Sequence, residues 1–111
     1  VDRKKDMIIT GGMNVYSSEV EQVLHEHPAI ETVAIVGIPD ADWGEAVHAF
    51  VVPKGDAEQS ELLDFCRDKL AKYKVPKGVT RLEELPTTPY GKIDKKVLRA
   101  LWLRDDKGDK Q

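Results

Sequence analysis

Proline and glycine residues interrupt this chain so often that short strands and short helices are what fit between them. The Gly11-Gly12 pair marks a tight turn, and Pro28, Pro53 and Pro76 each end an apolar segment. No apolar run approaches the roughly 18 residues that a membrane-spanning helix needs. We therefore expect a core built from several short elements, and no transmembrane segment.

Apolar periodicity between these interruptions predicts both strands and helices. The predicted strands are residues 7–10 and 14–16, which form a hairpin, followed by 31–38, 46–52 and 79–82. The predicted helices run from Ser18 to about Pro28, from Asp56 or Ser60 to about Tyr73, and from Asp94 to about Leu103. Ser18 and Glu21 fit a capping box at the start of the first helix.

This order of elements predicts an α+β fold, a small domain with a short N-terminal β-hairpin and a three-stranded sheet packed with helices. The apolar alternation is too irregular for a doubly wound parallel sheet. We expect residues 1–103 to form this domain and residues 104–111 to be a flexible polar tail.

Composition limits what such a domain can do by itself. With 111 residues, 41% of them hydrophobic, the chain can build one modest core but not a deep pocket of its own as well. Its net charge of −3 gives no reason to expect nucleic acid or an anionic membrane as a partner. The single cysteine, Cys66, excludes a disulfide framework, so we expect a cytoplasmic protein. The start at Val1, directly before charged residues, predicts a cut within a longer protein.

The common catalytic and metal-binding patterns are missing from the sequence. His25 and His27 are two residues apart and would point to opposite sides of a helix, and His48 stands apart from both. No metal site is predicted. Gly91-Lys92 lacks the other residues of a Walker-type phosphate loop.

Two segments, residues 2–21 and residues 85–99, carry more information together than apart. Alone, Gly11-Gly12 is a hairpin turn, and Gly91-Lys92 is a turn followed by a surface lysine. Together, DRKKDMIITGGMNVYSSEVE and LPTTPYGKIDKKVLR resemble the C-terminal domain of adenylate-forming (AMP-binding) enzymes. That superfamily includes acyl- and aryl-CoA ligases, nonribosomal peptide adenylation domains and beetle luciferases. KDMIITGGMNVYSSEVE is most similar to the fatty-acyl and aryl-CoA ligase branch.

The resemblance covers residues 1 to about 102 and implies an acyl-CoA synthetase that works in two half-reactions. A carboxylic acid, for which we expect a fatty acid, reacts with ATP to give an acyl-adenylate and pyrophosphate. CoA then displaces AMP to give the acyl-CoA. A large N-terminal domain, absent from this sequence, would bind ATP, Mg²⁺ and the acid, while the small domain rotates between the steps. Asp2 and Ser17 depart from the common pattern, in which many members have Gly and Pro.

By the same resemblance, three basic residues take roles in the reaction. Lys92 matches the catalytic lysine of the adenylation step, Lys5 matches the hinge, and Arg3 matches the arginine that binds the nucleotide ribose. The chemistry suits Lys92, because an ammonium on a flexible stem can bridge the carboxylate and the α-phosphate as negative charge accumulates. For Arg3 and Lys5 the alternative is a solvated basic side chain.

Other positions match the CoA site of the family. Gly11 and Gly12 match the loop that lines the pantetheine tunnel, where any Cβ would intrude on the ligand. Trp43 and Tyr73 match positions that approach the CoA nucleotide, and for Trp43 a partly buried structural role is the alternative. A local basic cluster is predicted either to meet the CoA phosphates or to be solvated: Lys72, Lys74 and Lys77.

Two alternatives to a CoA ligase stay open. One is an adenylation domain that loads a carrier protein, which a carrier domain downstream would support. The other is a non-catalytic interaction module with the same fold. The presence of Lys92, Lys5 and the glycine pair argues against the module, because a scaffold needs none of them. In the ligase interpretation, the isolated domain is expected to be inactive.

Overall fold

The computed structural model of the chain describes residues 7–55 and 58–109. Its strands are β1 (Met7–Thr10), β2 (Met13–Tyr16), β3 (Ile30–Asp40), β4 (Gly44–Pro53) and β5 (Gly78–Arg81). Its helices are α1 (Ser17–His25), α2 (Gln59–Lys69) and α3 (Lys95–Asp109), with a 3-10 turn at Lys72–Lys74. All the predicted strands and helices are present in the predicted order. In this part of the chain, no helix is both long enough and apolar enough to cross a membrane.

The rest of the sheet is joined to β4. One edge of β4 pairs antiparallel with β3 over nearly the full length of both strands. The other edge pairs with β1 at one position, Thr10 opposite Gly44, and in parallel with β5. β2 continues the hairpin outward from β1. The predicted α+β class is confirmed, and the hairpin and the three-stranded unit form one five-stranded sheet.

Helices cover both faces of the sheet where β3 and β4 lie, so these two strands are buried on both sides. α1 and α2 pack on one face, over an apolar cluster that includes Val33 and Ile35 of β3. α3 packs on the other face through Leu98, over a cluster that includes Ala34 and Val36. Alternate residues of β3 therefore enter two separate clusters, which explains its nearly continuous apolar sequence.

The predicted capping box at Ser18 is wrong. α1 begins one residue earlier, at Ser17, and no side chain caps its N-terminus by a hydrogen bond. The Glu21 carboxylate instead accepts the backbone N–H of Ile35 at 2.9 Å and pairs with Lys95. Glu21 thus binds groups that lie close in the fold but far along the chain, and a local sequence pattern carries no information about them.

The ends of α2 also differ from the prediction. The helix stops at Lys69 because Leu70 adopts an extended backbone, with φ −124° and ψ 153°, and packs against the apolar cluster beside α1. The segment up to Tyr73 continues as a separate 3-10 turn. At the other end, Ser60 lies inside the helix, and the alternative cap, Asp56, lies outside the described residues.

α3 is longer than predicted. Its helical backbone continues to Asp109, beyond the expected end near Leu103, into the segment predicted as a polar tail. The prediction ended the helix where the apolar periodicity ends. Helical backbone does not require that periodicity, because Lys, Arg and Asp all tolerate helical conformation.

This packing strongly affects the titratable side chain of His48. It is buried on the α3 side of β4, with Nε2 2.7 Å from the Thr80 hydroxyl and its ring edge-on to Phe50 and Trp102. A Cβ on Gly78 would lie 3.2 Å from its Cε1, so the backbone of β5 closes over the ring. Burial lowers the pKa of His48 from 6.5 to about 4, so the folded protein holds this imidazole neutral.

The lowered pKa of His48 predicts that the domain loses stability in mild acid. The unfolded chain binds the proton near pH 6.5 and the folded chain near pH 4, so lowering the pH across this window favours unfolding. The expected loss is about 3 kcal/mol when the window has been crossed. Urea unfolding of the chain at several pH values within the window measures it.

Two substitutions test the assignment of this pH dependence to His48. His48→Gln should flatten the dependence of unfolding free energy on pH, whereas His25→Gln, at an exposed position, should leave it unchanged. Equal pH dependence for the wild type and His48→Gln would contradict the assignment.

Candidate functional site

The segment that carries Lys92 is a narrow, hydrogen-bonded loop between β5 and α3. Its two sides are joined at the base, where the Asp94 N–H donates to the Pro86 carbonyl at 2.8 Å and Thr87 pairs with Ile93. Further out, the Thr88 N–H donates to the Lys92 carbonyl at 2.6 Å. The loop therefore closes on itself like a small hairpin.

Thr88 organises the tip of this loop. Its carbonyl accepts the Gly91 N–H at 2.9 Å, and its Oγ1 accepts the N–H groups of Tyr90 and Lys92 at 3.2 and 3.3 Å. Gly91 has φ 84°, a left-handed conformation that glycine adopts without steric cost. These bonds hold the backbone of Lys92 in place without using its side chain.

The Lys92 side chain lies at the surface of the domain. It is exposed, and among the residues that the structure describes it has no hydrogen-bond or ion-pair partner. Tyr90, two residues earlier, is 90% exposed. An ordered backbone with a free ammonium is the arrangement expected of a lysine that acts on a ligand held outside this domain.

Gly11, at the tip of the β1–β2 hairpin, lies directly against Trp43. The Gly11 N–H donates to the Trp43 carbonyl at 2.8 Å. Its φ is 58°, and a Cβ at this position would overlap the indole, 2.7 Å from Cζ3. The sequence predicted that a ligand would exclude a side chain here, but at Gly11 the Trp43 ring already excludes it.

Gly12 has the left-handed backbone of its neighbour without the steric contact. Its φ is 81°, and no described atom lies within 4 Å of the place where its Cβ would be. Of the two glycines, Gly12 is therefore the one with room for a ligand beside its backbone.

Trp43 occupies the turn between β3 and β4. The Asp40 carboxylate accepts the N–H groups of Asp42 and Trp43 at 2.8 and 3.0 Å, and Gly44 ends the turn with φ 82°. The indole is 47% exposed, and the ammonium of Lys77 lies 4.6 Å from its ring centroid. This cation–π contact was missed from the sequence, because nothing in the pattern links residues 43 and 77.

Tyr73 occupies a different environment from Trp43. Its ring is partly buried and packs against the apolar cluster beneath α1 and α2. The neighbouring Lys74 donates a 3.0 Å hydrogen bond to Glu19, which raises the pKa of Lys74. The predicted basic cluster is thus divided, since Lys74 is paired, Lys77 covers Trp43 and Lys72 is exposed.

The remaining candidate side chains have structural surroundings. Burial raises the pKa of the Cys66 thiol to about 11, which keeps it protonated and unreactive at neutral pH. His27 is buried, with Nδ1 accepting the Ala29 N–H at 3.0 Å and Nε2 3.3 Å from Glu61. Across residues 7–55 and 58–109, no group of three or more His, Cys, Asp or Glu side chains could hold a metal ion. Arg3 and Lys5 lie outside the described residues.

The Lys92 loop and the Gly11–Trp43 surface lie near different parts of β1. Thr88 and Ile93, at the loop, share a cavity of about 630 Å³ with Met7 and Ile8, from the first half of the strand. The Gly11–Trp43 contact lies just beyond Thr10, the last residue of β1. The candidate residues thus form two surfaces, one presenting a free ammonium and the other an open glycine beside an indole.

The sequence profile of the AMP-binding enzyme C-terminal domain family matches residues 19–92, a span that ends on Lys92. The chain belongs to this family. It is 46% identical over 101 residues to the 2-succinylbenzoate–CoA ligase of Bacillus mycoides, an alignment that covers 91% of this chain and 21% of that protein.

Solved structures of family members superpose closely on this domain. The fatty acyl CoA synthetase of Mycobacterium tuberculosis matches with a TM-score of 0.88 and 43% identity, over 94% of this chain and 21% of that one. The amide bond synthetase McbA of Marinactinospora thermotolerans matches with a TM-score of 0.83 and 43% identity, over 92% and 21%. The chain therefore spans about a fifth of the length of these relatives.

Because the surroundings of Gly11 and Gly12 differ, replacing each with alanine should lower the free energy of unfolding by a different amount. Gly12→Ala should destabilise the domain by about 1 kcal/mol, the cost of left-handed backbone at a residue with a Cβ. Gly11→Ala should cost more, because the same backbone penalty is added to displacement of the Trp43 ring. Urea unfolding measures both changes.

Fluorescence in a Trp102→Phe background, where Trp43 is the remaining tryptophan, follows the displacement directly. Gly11→Ala should shift the emission spectrum and Gly12→Ala should not. Equal unfolding energies and unchanged spectra for the two variants would show that Gly11 does not support Trp43.

Proposed function

We propose that this chain is the mobile C-terminal domain of an AMP-forming acyl-CoA synthetase. The full enzyme joins a carboxylic acid to CoA through an acyl-adenylate and uses ATP and CoA as substrates. The observation that carries the proposal is the free Lys92 ammonium on a loop whose backbone is already ordered. Membership of the AMP-binding C-terminal family, with CoA ligases among its relatives, supports it.

Lys92 serves the first half-reaction. When the carboxylate attacks the α-phosphate, negative charge builds up on oxygens of both reactants, and an ammonium placed between them lowers the barrier. Both reactants are bound by the N-terminal domain, so the lysine must reach across from this domain. The order that Thr88 imposes on the loop reduces the entropy lost when the lysine docks.

Gly12 and Trp43 serve the second half-reaction. The open space beside the Gly12 backbone suits the thin pantetheine arm of CoA. Lys77 covers one part of the Trp43 ring, and the exposed remainder is available to stack on the adenine, with the Lys77 ammonium close to the CoA phosphates. Tyr73 is partly buried, and its contact with CoA stays a prediction.

The roles of Arg3 and Lys5 are also part of the proposal. Lys5 precedes β1, so a torsion change there would turn the whole domain between the two surfaces. Arg3 would bind the ribose of the nucleotide. Mg²⁺ would be held by the N-terminal domain, together with the triphosphate that it neutralises.

The proposed acid is a fatty acid, and the proposed acceptor is CoA. The relatives include a 2-succinylbenzoate ligase and a fatty acyl synthetase, and a fatty acid remains our proposed substrate. The relative named for amide bond synthesis makes an amine a second candidate for the acceptor.

Pyrophosphate release by the full-length enzyme tests this function. The assay uses fatty acids of several chain lengths and aromatic acids including 2-succinylbenzoate, each with ATP and Mg²⁺. We expect acid-dependent release, followed by acyl-CoA formation when CoA is added and no amide when an amine replaces it. Absence of acid-dependent release across the panel would contradict the proposal.

Paired substitutions test the assignment of the two surfaces. Lys92→Ala should slow acyl-adenylate formation by about 100-fold or more, because it removes a charge that stabilises the transition state. Thioester formation from supplied acyl-adenylate should stay within about two-fold of the wild type. Pyrophosphate release and single-turnover thioester formation measure the two steps.

Gly12→Val is the reciprocal variant. It fills the space beside the hairpin tip, so it should slow thioester formation more than adenylation. Adenylation at the wild-type rate in Lys92→Ala would refute the role of the lysine, and equal slowing of both steps in Gly12→Val would refute the pantetheine site.

A further inference from the structure

The outer edge of β3 is bonded to side chains from both helical layers. β3 ends the order β2-β1-β4-β3, so alternate backbone groups along it face away from β4. The Ile35 N–H on this edge donates to Glu21 of α1 at 2.9 Å, and the Gly37 carbonyl accepts the Arg99 Nε–H of α3 at 2.9 Å. Two helices from opposite faces therefore meet at one strand edge.

Lys95 completes this connection. Its ammonium lies 2.9 Å from Glu21 Oε2 and 3.0 Å from Ser17 Oγ, both on α1. Lys95 and Arg99 are four residues apart and so lie on one side of α3. We call Ser17, Glu21, Lys95 and Arg99 the edge clamp. Lys95 and Glu21 are each 26% exposed, so water screens their ion pair less than it screens a fully exposed one.

The edge clamp lies at the base of the Lys92 loop. Lys95 is the first residue of α3 and directly follows Asp94, whose N–H closes the loop against Pro86. Beside the base is the 630 Å³ cavity that Thr88, Ile93 and Lys95 help to line, so apolar packing is incomplete on that side. Ser17, Lys95 and Arg99 of the edge clamp also line this cavity, so the edge clamp supplies polar contacts on that side of the base.

We propose that Lys95 is a positioning residue for the adenylation step. In this proposal the edge clamp sets the direction in which the Lys92 side chain extends from the domain. This inference rests on the proposed function of Lys92. An ammonium that must bridge two reactants tolerates little displacement, and a shift of about 1 Å can cost 100-fold in rate. The loop is closed by its own hydrogen bonds, so a change at its base moves the whole loop, and Lys92 with it.

Ser17 supplies a second oxygen that accepts a hydrogen bond from Lys95. Proline at this position would have no hydroxyl to accept the hydrogen bond from the Lys95 ammonium. Ser17 is buried, and its hydroxyl is used in this contact. The serine therefore adds an anchor for the lysine that a proline could not supply.

The test compares the two half-reactions in the full-length enzyme. Lys95→Met keeps the length of the stem and removes the charge. It should slow acyl-adenylate formation by about 10-fold to 100-fold and leave thioester formation from supplied acyl-adenylate within about two-fold. Lys95→Arg should restore most of the adenylation rate, because a guanidinium can still bond to Glu21 and Ser17.

Two further variants control for charge and for folding. Lys96→Met removes the same charge from the adjacent, exposed position and should change neither step. Glu21→Gln keeps an oxygen that can accept the Ile35 N–H but weakens the bond to Lys95. It should therefore slow adenylation selectively, by less than Lys95→Met.

Three outcomes overturn the inference. In the first, Lys95→Met adenylates at the wild-type rate. In the second, it slows both half-reactions equally and lowers the unfolding temperature, which indicates a general loss of stability. In the third, Lys96→Met has the same effect as Lys95→Met, which indicates a charge effect without positioning. Lys92→Ala, measured alongside, separates these cases from failure of the proposed function, since wild-type adenylation in that variant refutes the function itself.

Discussion

The antiparallel pairing of β3 with β4 is the interaction on which the rest of this domain depends. Each strand contributes side chains to two apolar clusters, one under α1 and α2 and one under α3. The hairpin and β5 attach to the other edge of β4. A register slip of one residue would exchange the two faces and separate both helical layers from their partners.

The two surfaces assigned to chemistry lie outside this core and are built in the same way. In each, one polar side chain holds a backbone turn, Thr88 in the loop of Lys92 and Asp40 in the turn of Trp43. The functional side chain, Lys92 or Trp43, therefore makes none of the hydrogen bonds that hold its own backbone. This separation gives an ordered position and an accessible group at once, which is what a domain needs when it presents side chains to ligands bound elsewhere.

Local signals were sufficient to predict the elements of the fold. Glycine and proline mark the turns, and β-branched residues mark β3 and β4, so the strands, the hairpin and the α+β class follow from short stretches of sequence. The end of α2 was missed because Leu70 leaves the helix to enter the core, although leucine favours helix. At Leu70, packing of the side chain against the core outweighs the helix propensity of leucine.

The site was predictable only in part, because its contacts join distant residues. The resemblance pointed to Lys92, Gly11, Gly12 and Trp43, but the reason for Gly11 is steric contact with Trp43, which the sequence does not show. Likewise, Glu21 has the local appearance of a helix cap, whereas in the fold it bonds to Lys95 and to the edge of β3. No pattern within one segment can reveal a partner in another.

The side chains bonded to the outer edge of β3 also oppose pairing of that edge with further strands. β3 is long, rich in β-branched residues and almost uncharged at its centre, and such a strand with free backbone groups adds strands from other molecules. Glu21 and Arg99 occupy backbone groups of Ile35 and Gly37, and they place charge along the same line. The contacts that Glu21 and Arg99 make with Ile35 and Gly37 therefore also cover part of an edge to which a strand of another molecule could add.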